Sequence, residues 1–178
     1  MGIFKVETIG DSDVAVCGLP EPNKNHAVRM ARFASSCLDD MSILIKRLEV
    51  SIGPGTADLA LRVGLHSGPT IAGVLRGEKA RFQLYGDTVN TASRMEASSE
   101  SNRIQASQKT AELIVEARKG HWLTARKDLV NAKGKGLLHT FWLNPKVSKN
   151  NDSGVSSVED LETEHSVDSN NNDESKID

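Results

Sequence analysis

The apolar residues Ala27, Ala31, Ala34, Leu38, Met41, Ile45 and Leu48 return at alternating steps of four and three. That spacing keeps one stripe apolar on a 3.6-residue period and predicts a long amphipathic helix over residues 23–49. Gly53-Pro54-Gly55 then closes it in a loop, since neither residue type continues a helix. Before and after it the period shortens. Residues 4–8 and 14–18 are runs of β-branched and apolar residues around Gly10-Asp11-Ser12-Asp13, which predicts a hairpin with Asp11 at its tip. Leu61, Val63 and Leu65 alternate with Arg62, Gly64 and His66, the signature of a half-buried strand. Ser67-Gly68-Pro69 turns the chain, and a strand over 70–75 is expected to pair with that one. A further strand over 82–85 precedes a helix opening at Thr88, and 108–115 form a short helix before the last strands.

The predicted order is ββαβββαβα followed by strands. Strands and helices interleaved without strict βαβ alternation point to an α+β layer, helices on one face of a mixed or antiparallel sheet. Residues 1–144 are read as one domain. Residues 145–178 are Ser, Asn, Asp and Glu with scattered single valines, too polar to offset the entropy of ordering them, and are expected to be a disordered acidic tail.

Charge sharpens that division. The tail carries nine acidic residues and three lysines, which leaves 19 basic and 15 acidic residues in the first 144. A mildly basic body suits an anionic small molecule, and with no basic stripe interleaved with aromatics a nucleic-acid partner is not expected. Two cysteines, Cys17 and Cys37, make no disulfide framework. No apolar run approaches the length needed to cross a bilayer, and Met1-Gly2 with Glu7 at the sixth position lacks a myristoylation signal. A cytoplasmic domain is expected, any membrane anchor lying in sequence outside this chain.

The stretch from Arg81 to Glu96, Arg-Phe-Gln-Leu-Tyr-Gly-Asp-Thr-Val-Asn-Thr-Ala-Ser-Arg-Met-Glu, concentrates the candidate chemistry. Gly86 permits a tight turn, Asp87 can cap the first helical turn, and Asn90 and Arg94 share a helix face four residues apart. An amide that orients a hydroxyl and a planar cation that grips phosphate oxygens suit displacement at phosphorus. Spacing alone, however, more often marks an exposed helix face than a site.

This stretch closely resembles the signature of the class III nucleotide cyclases, the adenylate and guanylate cyclase catalytic domain. Three further segments agree: Phe4-Lys5-Val6-Glu7-Thr8-Ile9-Gly10-Asp11, Leu61-Arg62-Val63-Gly64-Leu65-His66-Ser67-Gly68-Pro69, and Ala132-Lys133-Gly134-Lys135-Gly136 with Thr140-Phe141-Trp142-Leu143. The resemblance implies a ferredoxin-like core and conversion of a nucleoside triphosphate to a cyclic nucleotide and pyrophosphate, in intracellular signal transduction. It assigns Asn90 to the ribose, Arg94 to the α-phosphate in the transition state, Lys133 or Lys135 to the terminal phosphates, and Asp11 to metal, with two Mg2+ or Mn2+ ions in a complete site. The family's other metal-binding aspartate lies in a Phe-x-Asp-Ile-x-Gly-Phe-like segment upstream, so the chain is expected to hold the later part of the domain.

Base choice falls to Glu7 and Gln83. Adenine-using relatives carry lysine at the first position and aspartate or threonine at the second, guanine-using ones glutamate and cysteine. Glu7 is the guanine type, because a carboxylate accepts from guanine N1 and N2 hydrogens while adenine offers a lone pair at N1. Gln83 departs from both patterns: its NH2 could donate to guanine O6, its carbonyl accept from adenine N6. Asp13 also departs from an aromatic residue usual in the family. The reading is a guanylate cyclase acting on GTP as a homodimer, its site formed between subunits. Adenylate cyclase and a non-catalytic module that dimerises or binds nucleotide are the alternatives. His66, His121 and His139 are read as structural or surface residues, and Tyr85 and Trp142 as packing residues in the core or a subunit contact.

Overall fold

The computed structural model describes residues 2–76, 80–132 and 134–145; Lys133 and the acidic stretch after Pro145, on which two expectations above rest, lie outside them. Among the described residues, β1 (Ile3–Ile9) and β2 (Ser12–Cys17) lead into α1 (His26–Ile52). Next come β3 (Arg62–Leu65), β4 (Ile71–Leu75), β5 (Arg81–Tyr85) and α2 (Asp87–Ala97), then β6 (Arg103–Ser107) and α3 (Gln108–Glu116). The short strands β7 (Leu123–Ala125), β8 (Val130–Ala132), β9 (Gly136–Leu138) and β10 (Thr140–Leu143) complete the order, which is the one the hydrophobic pattern predicts.

A mixed sheet runs β3-β6-β10-β7. β3 and β6 are parallel, while β10 is antiparallel to both β6 and β7. On one face Ala27, Ala31 and Ala34 of α1 meet Leu65, Ile104, Ala106, Ile114, Trp122 and Leu143 in the buried core. Alanines at this contact let the helix approach the strands closely, where dense packing contributes most. The C-terminal half of the same helix is less covered: Met41, Ile45 and Leu48 are only half-buried, and Val50 is 90% exposed.

The other face of the sheet carries α2. Gly64 and Gln105 are register partners on β3 and β6, alternate to the residues that face α1. A Cβ on Gly64 would lie 2.0 Å from the Glu96 amide nitrogen, and the buried Gln105 amide donates to Ser98 Oγ at 3.0 Å. Helices therefore lie on both faces, where one face was expected.

The pairing of β4 also differs from expectation. It joins β5, with Ile71 opposite Tyr85 and Gly73 opposite Gln83, and not β3. Two neighbouring strands close a short loop at little entropic cost, while β3 pairs in parallel with β6 across the connection that contains α2, the usual geometry for a parallel pair.

Candidate active site

The β1-β2 hairpin turns on Gly10 and Asp11. Gly10 takes φ 63°, the left-handed value that a tight hairpin turn needs and glycine supplies without strain. Along β1 the register shifts between Lys5, opposite Ala15, and Glu7, opposite Val14, so that Val6 is the extra residue of a bulge. Bulges re-aim the side chains beside them. Lys5 Nζ lies 2.8 Å from Asp13 Oδ1, and Thr8 Oγ1 donates to the same oxygen at 2.6 Å. Those two contacts, the Lys5 bond first, hold the Asp13 carboxyl below its ordinary range and occupy it as a hairpin brace.

Glu7 instead faces β5. Its Oε2 accepts from Gln83 Nε2 at 3.2 Å, and Gln83 Oε1 accepts from the Tyr85 hydroxyl at 2.7 Å. Edge-to-face contact of Phe4 and Phe82, centroids 5.6 Å apart, fixes hairpin and strand together. Across β4, Gly73 carries no side chain, and a Cβ there would meet nothing within 4 Å. The approach over Gln83 is therefore open. Tyr85 is exposed, outside the core where packing was one expectation. Trp142 lies between the Arg103 and Arg126 guanidiniums, 4.1 and 4.7 Å from its ring centroid.

Gly86, at φ 120°, precedes α2. Thr91 and Met95 bury one side of that helix, and Asn90 and Arg94 lie on its exposed side with no side-chain partner among the described residues. Gly86 is the N-cap residue and Asp87 the first residue of the helix, where the sequence suggested Asp87 as the cap. It pairs with Lys135, which is presented by a loop between Gly134 at φ 80° and Gly136 at φ 74°. The Lys135 bond lowers the Asp87 carboxyl below its usual range. Beneath this pair His66 Nδ1 lies 2.7 Å from Ser107 Oγ; burial depresses its pKa, with Asp87 opposing and Lys135 reinforcing the shift.

Three groupings result: Glu7 with Gln83, Asn90 with Arg94 on one helix whose first residue holds Lys135, and Asp11 apart at the hairpin tip. Asp11 is exposed, and among the described residues its carboxylate accepts only from the Ser12 hydroxyl, at 3.5 Å. Among the described residues no three His, Cys, Asp or Glu side chains gather as a metal cage. A single accessible carboxylate still fits Mg2+, which binds through one or two carboxylates plus substrate phosphates. A cleft of about 740 Å3 between α1, β6 and β10 contains none of these residues. Neither the Tyr85–Gln83 bond nor the Asp87–Lys135 pair is among the sequence expectations. The two-residue strand spacing from Gln83 to Tyr85 was a usable signal for the first; 48 residues separate the second pair, and nothing local announces it.

With hairpin, strand and helix so arranged, the fold is that of a nucleotide cyclase catalytic domain. Residues 1–145 match the family model of the adenylate and guanylate cyclase catalytic domain, and the chain belongs to that family. It is 42% identical over 142 residues, 79% of its length, to the receptor-type guanylate cyclase Gyc76C of Drosophila melanogaster. The chain spans 9% to 13% of the length of the curated relatives it matches. Among solved structures it is similar to the guanylate cyclase domain of RhGC from Catenaria anguillulae in complex with GTP, at 37% identity and TM-score 0.64, covering 80% of this chain and 72% of that one. It is likewise similar to the catalytic core of a rhodopsin-guanylyl cyclase with converted specificity in complex with ATPalphaS, at 39% identity and TM-score 0.67 over the same shares. Among the described residues no helix is long and apolar enough to cross a membrane.

Proposed function

We propose that this chain is the catalytic part of a guanylate cyclase, converting GTP to cyclic GMP and pyrophosphate, with residues 145–178 as an acidic tail outside the catalytic unit. The observation that carries the base assignment is the 3.2 Å bond between Glu7 and Gln83, which puts the two base-reading positions side by side on a patch open to a ligand. Glu7 accepts from guanine N1 and N2 hydrogens and Gln83 donates to O6. Asn90 orients the ribose so that the 3′ oxygen attacks the α-phosphorus. The O3′–P bond forms, the bond to the β-phosphate bridging oxygen breaks, pyrophosphate leaves and the 3′ hydroxyl proton passes to solvent water. Arg94 stabilises the charge that grows on the α-phosphate oxygens, and Lys135, with Lys133, binds the terminal phosphates. Asp11 would hold Mg2+ or Mn2+, which when bound supplies charge neutralisation at the reacting oxygens.

Among the described residues Asp11 makes no contact with another candidate residue, and the reading places it across a two-fold axis from the Glu7, Gln83, Asn90, Arg94 and Lys135 set of a second copy. The test measures cyclic GMP and cyclic AMP made from GTP and ATP with Mg2+ or Mn2+. It uses the chain as it stands and the chain with a family Phe-x-Asp-Ile-x-Gly-Phe segment fused ahead of it. Cyclic GMP in excess is the expected result; no cyclic product from either form with either nucleotide overturns the enzyme assignment.

A further inference from the structure

Phe4 and Glu7 stand at an odd spacing on β1, and in a regular strand they would point to opposite faces. The bulge at Val6 brings them to one. Phe4 is opposite Val16 and Glu7 opposite Val14, so both take the side on which Phe4 meets Phe82 and Glu7 meets Gln83. On the reverse side the same bulge aligns Lys5, opposite Ala15, with Thr8, opposite Asp13. Lys5 Nζ and Thr8 Oγ1 both reach Asp13 Oδ1, at 2.8 and 2.6 Å. One carboxylate oxygen therefore ties together residues on either side of the bulge.

A hairpin without the bulge has two ways to pair, and Asp13 opposes each. If the end nearer the turn slips by one residue, Glu7 comes opposite Asp13. Glu7 then leaves β5, and two carboxylates face each other across the strands, a destabilising pair. If the far end slips instead, Lys5 comes opposite Val16 and passes to the face away from Asp13, while Phe4 turns from Phe82. The bulged register alone gives Asp13 both donors and keeps Glu7 off its face.

We infer that Asp13 is a positioning residue for base recognition: by joining Lys5 and Thr8 behind the bulge at Val6, it keeps Glu7 and Phe4 turned together toward β5. The inference rests on the reading of Glu7 and Gln83 as the base-contacting pair and adds the group that holds Glu7 in place for it. The Lys5 and Asp13 side chains are 62% and 61% exposed, and ties between exposed charges are weak. Removing Asp13 therefore shifts the population of hairpin registers and leaves the domain folded.

The test compares the wild-type full chain with Asp13→Ala, which removes the carboxylate, and with Thr8→Val, which removes one donor and keeps the β-branched shape. Cross-strand nuclear Overhauser contacts report the register: Glu7 to Val14 and Phe4 to Phe82 in the bulged form, Glu7 to Asp13 or Lys5 to Val16 in the slipped ones. Displacement of a fluorescent guanine nucleotide by GTP, ATP and inorganic pyrophosphate gives relative affinities without requiring turnover. Asp13→Ala should show contacts of a slipped register and a GTP-over-ATP ratio about two- to fivefold lower, the range of an exposed ion pair. Pyrophosphate, which has no base, should bind as it does to the wild type. Thr8→Val should show the same changes, smaller. A bulged register with an unchanged ratio in both variants overturns the role of Asp13 and leaves the base assignment standing. So does a slipped register with the ratio intact, and so does an equal loss for GTP, ATP and pyrophosphate, the mark of a general folding defect. Wild-type chain that binds GTP and ATP equally, or neither, overturns the base assignment and the inference with it.

Discussion

Arg94 projects from the exposed side of α2 with no partner among the described residues, so its charge is uncommitted before a phosphate arrives. A cation placed this way acts most on charge that develops during reaction, and losing one such group typically costs about 10²–10³ in kcat. Arg94→Ala should therefore depress turnover of GTP far more than nucleotide affinity; equal losses in both, measured by steady-state kinetics and equilibrium binding, would contradict a transition-state role. Glu7→Lys puts a donor where guanine needs an acceptor, and the ratio of kcat/KM for GTP over ATP should fall below that of the wild type. A ratio that survives would show that Glu7 is not the selector. His66 gives a pH signature. Burial holds its folded pKa below the ordinary value of 6.5, so below that pH the unfolded chain binds more protons than the folded one. Its contribution is complete above pH 6.5 and is lost as pH falls toward the depressed value. Urea unfolding at pH 7.5 and 5.5 should show this loss, and His66→Gln should flatten it. Local rules placed Asn90 and Arg94 on one helix face and Asp11 at a turn, while their roles were implied only by the family resemblance. The bond from the Tyr85 hydroxyl to Gln83 escaped because an aromatic residue on a strand usually packs.

Element by element, the site depends on how closely α2 lies on β3. Gly64 makes that approach possible: its added Cβ would stand 2.0 Å from Glu96 N, 2.6 Å from Met95 C and 2.7 Å from Ala92 O. All three are backbone atoms of the helix that carries Asn90 and Arg94, and none can swing aside as a side-chain end could. Gly64→Ala should cost about 1–3 kcal/mol, as overpacking does, a fall of several degrees in Tm for a chain of this size. Gly73→Ala, whose Cβ meets nothing within 4 Å, should leave Tm nearly unchanged; calorimetry on the two variants checks the contrast. The hydrophobic periodicity located these elements well because it reports which side of each is buried. It did not report partners. The alternation around Gly64 marks a strand equally well whether β4 or β6 lies beside it, and the parallel β3-β6 pair is decided by contacts across 41 residues, such as Gly64 with Gln105, which no local window contains. The two faces of the sheet were hidden for the same reason: a glycine at position 64 is silent about the helix it admits.

At the scale of the whole molecule the candidate residues divide into a hairpin tip bearing Asp11 and a surface bearing Glu7, Gln83, Asn90, Arg94 and Lys135. If a site takes the first from one copy and the rest from another, two different defects can complement. Chains carrying Asp11→Ala and chains carrying Arg94→Ala should each be inactive alone, in whichever form of the protein cyclises GTP. Mixed in equal amounts and allowed to exchange, half of the dimers are hybrids. Each hybrid has one site with both lesions and one with neither, so about a quarter of the wild-type activity should return under two-fold symmetry. Specific activity of the wild-type chain should also rise with protein concentration through the dimer dissociation constant, as mass action requires of an obligate dimer. A site contained in one protomer would behave otherwise: the mixture would stay as inactive as its components, and dilution would leave specific activity constant.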